Sequence, residues 1–243
     1  MTVDKDYIFN LLSFIDFKAV TTDDTFAQDN FTNYFIKEVP EDCEYNYGAS
    51  KLVIIPDNTD YVIKIPFNCG YNEDYIDPDY AASQGIEYDE DEQEEWLYFQ
   101  NAYYCRQEEY GWDYCEAEVE YYEEAADWGI EKYFAETRYI GDCHGWPIYV
   151  QPKCEAMENS RNSHSHTLEE YDSIQEKADS VDQHGIRDKD FLCDLFKDAD
   201  VDTVSLLFQF IDEKLSDLHS GNYGYFEGTI DACLLDYAGW NEA

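Results

Sequence analysis

Apolar residues in this chain fall into short blocks of two different periods, and the periods separate strands from helices. Leu52-Val53-Ile54-Ile55 and Tyr61-Val62-Ile63-Lys64-Ile65-Pro66 are β-branched runs joined by Asp57-Asn58-Thr59-Asp60, which predicts a hairpin. Gly145-Trp146-Pro147-Ile148-Tyr149-Val150-Gln151-Pro152 reads as a buried strand running out into an extended linker. At helical spacing, Tyr7 to Ile15 predicts an amphipathic N-terminal helix, and Asp190 to Phe196 and Val201 to Lys214 predict two more. The segment from Tyr114 to Ala125 predicts a helix with Val119, Tyr122 and Ala126 on one apolar face and glutamates over much of the rest. Residues 153–190 are polar, with a loop expected at Glu158 to Ser163. The order predicts an α+β protein in which one helix interrupts an antiparallel sheet and further helices follow.

Composition bounds the class. With 243 residues, 44% hydrophobic and 17% aromatic, the chain can bury a sizeable core as one or two small lobes. No apolar run approaches twenty residues and Met1-Thr2-Val3-Asp4-Lys5-Asp6 opens acidic, so the expectation is a cytoplasmic protein without a membrane span. Eight cysteines occur without a C-x-x-C pair and are read as reduced thiols. Neither Cys143-His144 nor His164-Ser165-His166 makes a zinc spacing.

Charge changes the picture more than any other bulk property. The net charge is -41, and from Phe67 to Glu131 the only base is Arg106 among roughly twenty carboxylates, centred on Asp89-Glu90-Asp91-Glu92-Gln93-Glu94-Glu95. Such a field argues against direct nucleic-acid binding and for a basic protein partner. It can also imitate the phosphate array of DNA and occupy the basic groove of a nucleic-acid enzyme.

Chemistry concentrates near the end of the sequence, in Asp217-Leu218-His219-Ser220-Gly221-Asn222 followed by Asp236-Tyr237-Ala238-Gly239. An acid and an amide five residues apart on a tight loop can point at one volume, and Thr229 to Leu235 can supply the strand returning Asp236 to it. Magnesium-nucleotide chemistry asks for such a set. Upstream, Lys64 is a cation inside an apolar β-prone run, where a charge needs a reason. On the glutamate helix, Glu118 is followed by Tyr121, Tyr122 and Ala125 at three, four and seven residues and best fits a partner for Lys64; Glu116 and Glu120 remain open. Gly48 lies in the loop between the first two strands, where a plain turn glycine is an equal alternative.

The catalytic segment resembles the protein-kinase-like superfamily, closest to the D-L-H-x-G-N form of aminoglycoside and choline kinases, and Tyr61-Val62-Ile63-Lys64 resembles the V-A-I-K strand. The resemblance implies a two-lobed fold. Residues 1–150 would form an N-lobe with an N-terminal extension, a hairpin, an acidic insertion at 67–113, the glutamate helix and a hinge strand. Residues 151–243 would form a shortened helical C-lobe. It further implies ATP and Mg2+, with Asp217 at the acceptor hydroxyl, Asn222 and Asp236 on the metal, Lys64 on the phosphates and Glu118 holding Lys64. Gly48 would cover the phosphates, and Val150 and Gln151 would face adenine. The chain departs from the pattern in having a single glycine in the phosphate loop, in Asp-Tyr-Ala-Gly for the metal-binding element, and in ending soon after it. Two functions are therefore expected from different classes. One is a compact kinase of phage or mobile-element type, acting in the host cytoplasm on a basic protein. The other is a catalytically weak kinase-like scaffold whose acidic surface mimics nucleic acid and inhibits a host defence or nucleic-acid enzyme.

Overall fold

Alternation along three β-branched runs builds the first layer of the molecule. In the computed structural model, residues 2–13, 15, 40–47, 50–66, 110–157, 166–177, 186, 188–215, 218 and 220–238 are described. Strands β1 (Cys43–Tyr47), β2 (Lys51–Pro56), β3 (Tyr61–Pro66), β4 (Arg138–Cys143) and β5 (Trp146–Pro152) form one antiparallel sheet in the order β1-β2-β3-β5-β4. The protein is α+β, as expected. The turn at residues 57–60 joins β2 to β3, and helix α1 (Lys5–Leu12) precedes the sheet. Helix α2 (Tyr110–Trp128) falls between β3 and β4 in sequence.

The register sets which side chains share a face. Ile54, Ile63 and Val150 lie side by side across β2, β3 and β5, and Leu52 opposes Ile65. These residues are buried with Ile8 and Leu12 of α1 and with Ile140, Trp146 and Ile148. By the two-residue period of a strand, Lys64 must point away from that face, level with Val53 and Tyr149. Lys51, two residues before Val53, shares its side.

A second core lies where α2 meets the later elements. These are α3 (Leu168–Lys177), α4 (Lys189–Phe196), α5 (Val201–Lys214) and a small antiparallel sheet of β6 (Cys154–Ala156), β7 (Tyr223–Phe226) and β8 (Ala232–Leu234), in the order β6-β7-β8. Phe191, Phe196, Leu207, Phe210, Tyr223, Tyr225, Leu234 and Tyr237 are buried there together with Tyr121 and Ala125 of α2. Trp112, at the other end of α2, meets Trp146 of the first core edge to face at 5.4 Å between ring centroids. Helix α2 thus spans both cores.

Short-range signals fix the helix ends. Asp4, Asp188 and Asp200 cap α1, α4 and α5, each accepting from the backbone N–H three residues on, and their charge also suits the positive end of the helix. α2 stops at Gly129, whose φ of 76° continues into the bond from Ile130 N to Ala125 O, a Schellman close that buries Ile130. α2 is longer than predicted. Its buried face carries Tyr114, Cys115, Glu118, Tyr121 and Ala125, whereas Ala126 is exposed and Val119 and Tyr122 are half-buried. The expected face is thereby corrected by one residue, about 100° around the helix, because Glu118 counts as a core residue. α3 and β6 lie within the polar stretch 153–190, and the loop expected at Glu158 to Ser163 lies outside the described residues. No helix among the described residues is long and apolar enough to cross a membrane.

Candidate functional site

Lys64 projects from β3 toward α2, where its Nζ lies 2.6 Å from Glu118 Oε2. Glu118 is wholly buried and Lys64 is 4% exposed. Of the three glutamates considered, Glu118 is the one that turns inward, while Glu116 and Glu120 face solvent. Glu118 Oε2 also accepts from Thr137 Oγ1 at 2.8 Å. Its other oxygen, Oε1, accepts from Lys51 Nζ at 3.1 Å. Lys51 Nζ continues to Asp236 Oδ1 at 2.7 Å and stands 3.8 Å above the Tyr114 ring.

Two ammonium groups and two carboxylates therefore close one buried quartet, formally neutral within a chain of net charge -41. Isolated charges in such a place would be very costly, and mutual pairing is what lets them persist. For Lys51, burial opposes protonation, but Asp236 and then Glu118 outweigh it and raise its pKa. Burial pushes Asp236 up, yet Lys51 and Lys64 prevail and hold its carboxyl well below the usual range. Burial dominates at Glu118, whose pKa is raised in spite of both lysines. Beside Lys51, burial pushes the Cys115 thiol up to about 12.

Asp236 reaches this quartet because β8 is short and its exit is pinned. Leu235 N and Asp236 N both donate to Asn222 O, at 3.0 and 3.3 Å, so the two residues expected to hold metal are adjacent through their backbones. Leu235 O accepts from Gln151 Nε2 at 2.7 Å and from Lys64 Nζ at 3.4 Å. Gln151 Nε2 also faces Thr137 Oγ1 and Ala135 O at 2.9 and 3.1 Å. Tyr237 OH donates to Ala135 O at 3.0 Å. One polar chain thus links β5, β3, α2 and the segment after β8.

Val150 and Gln151 both lie inside β5, short of its end. Val150 packs in the first core, and Gln151 turns its amide into the polar chain. Gly48 and Asp217 lie outside the described residues, as do His219 and the acidic run 89–95. The network also contains residues that sequence reasoning missed: Lys51, Thr137 and Tyr237. Lys51 carries the same signal as Lys64, a cation opening the apolar run Leu52-Val53-Ile54-Ile55.

Among the described residues, no group of three or more His, Cys, Asp or Glu side chains could hold a metal ion by itself. Magnesium sites in phosphoryl-transfer proteins commonly use one or two carboxylates plus substrate phosphates. Asp236, its side chain 28% exposed and beside Asn222, fits that donor set. No protein-family model, curated protein or solved structure matches the chain.

Proposed function

We propose that this protein has a two-lobed, kinase-like fold, binds Mg-ATP and transfers phosphate to a hydroxyl on a basic protein. The observation that carries the proposal is the Lys64–Glu118 pair at 2.6 Å, made between strand β3 and helix α2, 54 residues apart. A strand lysine held by a helix glutamate is the phosphate-positioning device of kinases. The five-stranded sheet, with α2 lying between β3 and β4 among the described residues, and the meeting of Asp236 with that pair support it further.

Lys64 would orient the phosphates while Glu118 and Thr137 fix the ammonium in place. Asn222 and Asp236 would hold magnesium, which when bound neutralises phosphate charge. Asp217 would accept the proton of the acceptor hydroxyl. Gln151, through Leu235 O, keeps the segment carrying Asp236 against the sheet. Closely packed groups of this kind act through positioning and electrostatics.

The charge favours a second reading, a kinase-like scaffold that mimics nucleic acid. Glu116, Glu120 and Glu123 of α2 all face solvent, adding to the acidic surface without touching the quartet. Magnesium-dependent ATP thermal shift on wild type and Asp236→Ala separates the two. Nucleotide at one hundred times its dissociation constant adds about 2.7 kcal/mol of stability, so a wild-type shift that vanishes in the variant is expected. Absence of any shift at millimolar nucleotide overturns phosphoryl transfer and leaves the scaffold.

A further inference from the structure

Glu118 is paired twice. Lys64 takes Oε2 at 2.6 Å and Lys51 takes Oε1 at 3.1 Å, although one ammonium suffices to neutralise one carboxylate. The surplus positive charge falls on Asp236, and Lys51 makes that contact at 2.7 Å while Lys64 reaches Leu235 O instead. Lys51 is 4% exposed, whereas the Asp236 side chain is 28% exposed. The Lys51–Asp236 pair is thus the edge at which the quartet meets solvent.

Resting on the phosphotransferase reading, we propose that Lys51 is a second phosphate-binding lysine, and that its ammonium competes with a divalent cation for Asp236. The register supports the first half. Val53 opposes Lys64 and Lys51 precedes Val53 at a spacing of two, so both ammonium groups leave the same face of neighbouring strands. Two cations side by side suit a polyphosphate better than a single one does.

Simple electrostatics supports the second half. A magnesium ion would sit about 2.0–2.1 Å from a carboxylate oxygen, and an ammonium already 2.7 Å from Asp236 Oδ1 repels it. A metal arriving alone must therefore displace Lys51 and leave a nearly buried ammonium with Glu118 as its remaining charged partner. A metal arriving with phosphate brings the anion that Lys51 then takes. Metal and nucleotide are in this way coupled through one side chain, and each must strengthen the other's binding by the same factor.

The test measures manganese alone, ATP alone in chelator, and both together, by isothermal titration calorimetry on wild type, Lys51→Met and Lys51→Gln. The glutamine keeps hydrogen bonds to the carboxylates and serves if the methionine variant does not fold. We expect opposite signs: manganese alone binds the neutral variants about tenfold tighter, and ATP alone about tenfold weaker. Lys51→Arg, which keeps the charge, should behave like wild type toward manganese. If both affinities fall together, or neither moves, while wild type still binds Mn-ATP, Lys51 is a structural lysine and the proposal is wrong. If wild type binds no ATP at all, the phosphotransferase reading itself falls and takes the phosphate role with it. The manganese arm then judges the blocking role by itself, and unchanged manganese affinity in the variants overturns that too.

Discussion

Lys64 and Glu118 lie 54 residues apart in sequence and 2.6 Å apart in the fold, with side chains 4% and 0% exposed. Removing one partner from such a pair leaves the other charge buried and unmatched. Glu118→Ala strands Lys64 and leaves Lys51 with Asp236 as its one ion-pair partner, because Lys51 shares the same carboxylate. The expected loss is about 3–5 kcal/mol, or roughly 6–20 °C in melting temperature for a protein of this size. Glu116→Ala and Glu120→Ala, on the solvent side of the same helix, should melt within about 2 °C of wild type. A calorimetric scan in which all three variants melt together would show that Glu118 holds nothing in place.

The pH dependence of the Asp236 contribution has a fixed sign. Its folded pKa is depressed below the ordinary 3.8, so its stabilisation is complete above that value and is lost as pH falls through the folded pKa. Lys51 behaves in the opposite sense: its pKa is raised above 10.5, so its stabilisation is complete below 10.5 and fades as pH rises beyond it. Glu118, raised by burial, instead regains stability as pH falls. Urea midpoints of wild type and Asp236→Asn should therefore differ by a constant amount from about pH 5 to pH 9 and begin to converge only below about 3.8. The gap itself will be modest, since 28% of the Asp236 side chain meets water. Convergence starting near neutrality would contradict the depressed pKa.

Gln151 offers a sharper probe of the polar chain than deletion does. Its amide nitrogen faces three oxygens: Leu235 O, Thr137 Oγ1 and Ala135 O. Gln151→Glu keeps the shape but turns a donor into a charged acceptor among acceptors, which should lower stability by about 2–3 kcal/mol or more. Because Leu235 precedes Asp236, nucleotide-dependent stabilisation should fall with it. Equal stability of the Glu and Gln proteins at pH 8 would mean that the amide does not organise this segment.

How much of this was legible depended on how locally each feature is encoded. Lys64 and Glu118 could be read because a charge in a β-branched run and a glutamate ahead of helically spaced aromatics are both visible within a few residues. The hairpin and α5 were legible for the same reason. Lys51 escaped notice at the first position of β2, where a lysine after Ser50 looks like loop. Gln151 reads from the sequence as a hinge residue because a polar residue near a strand end gives no sign of a partner 84 positions away. β6 has only three residues, too few for a period to show. The apolar face of α2 falls one position from the expected Val119, Tyr122 and Ala126 because periodicity counts apolar side chains alone, whereas the buried stripe runs through the charge-compensated Glu118.

Gly224 ties the small sheet to the site by a steric argument. It sits in β7 opposite Ala156 of β6, and a Cβ added to it would lie 2.0 Å from Glu155 O and 2.9 Å from Ala156 Cα. Both are backbone atoms of the paired strand, so no rotamer change relieves the clash and the strands must separate. Gly228, in the turn after β7, presents a different problem, with open space around it and a φ of 71°. Gly228→Ala should therefore cost only the left-handed backbone penalty, about 1–2 kcal/mol. Gly224→Ala should cost at least about 3 kcal/mol. The consequence reaches further than stability, because Asn222 immediately precedes β7 and its carbonyl anchors Leu235 and Asp236. Shifting β7 should drag Asp236 off Lys51, so Gly224→Ala is expected to lose magnesium-dependent ATP stabilisation while Gly228→Ala keeps it. Matched losses in both variants, whether of stability or of nucleotide response, would show that β6–β7 contact plays no part in setting the position of Asp236.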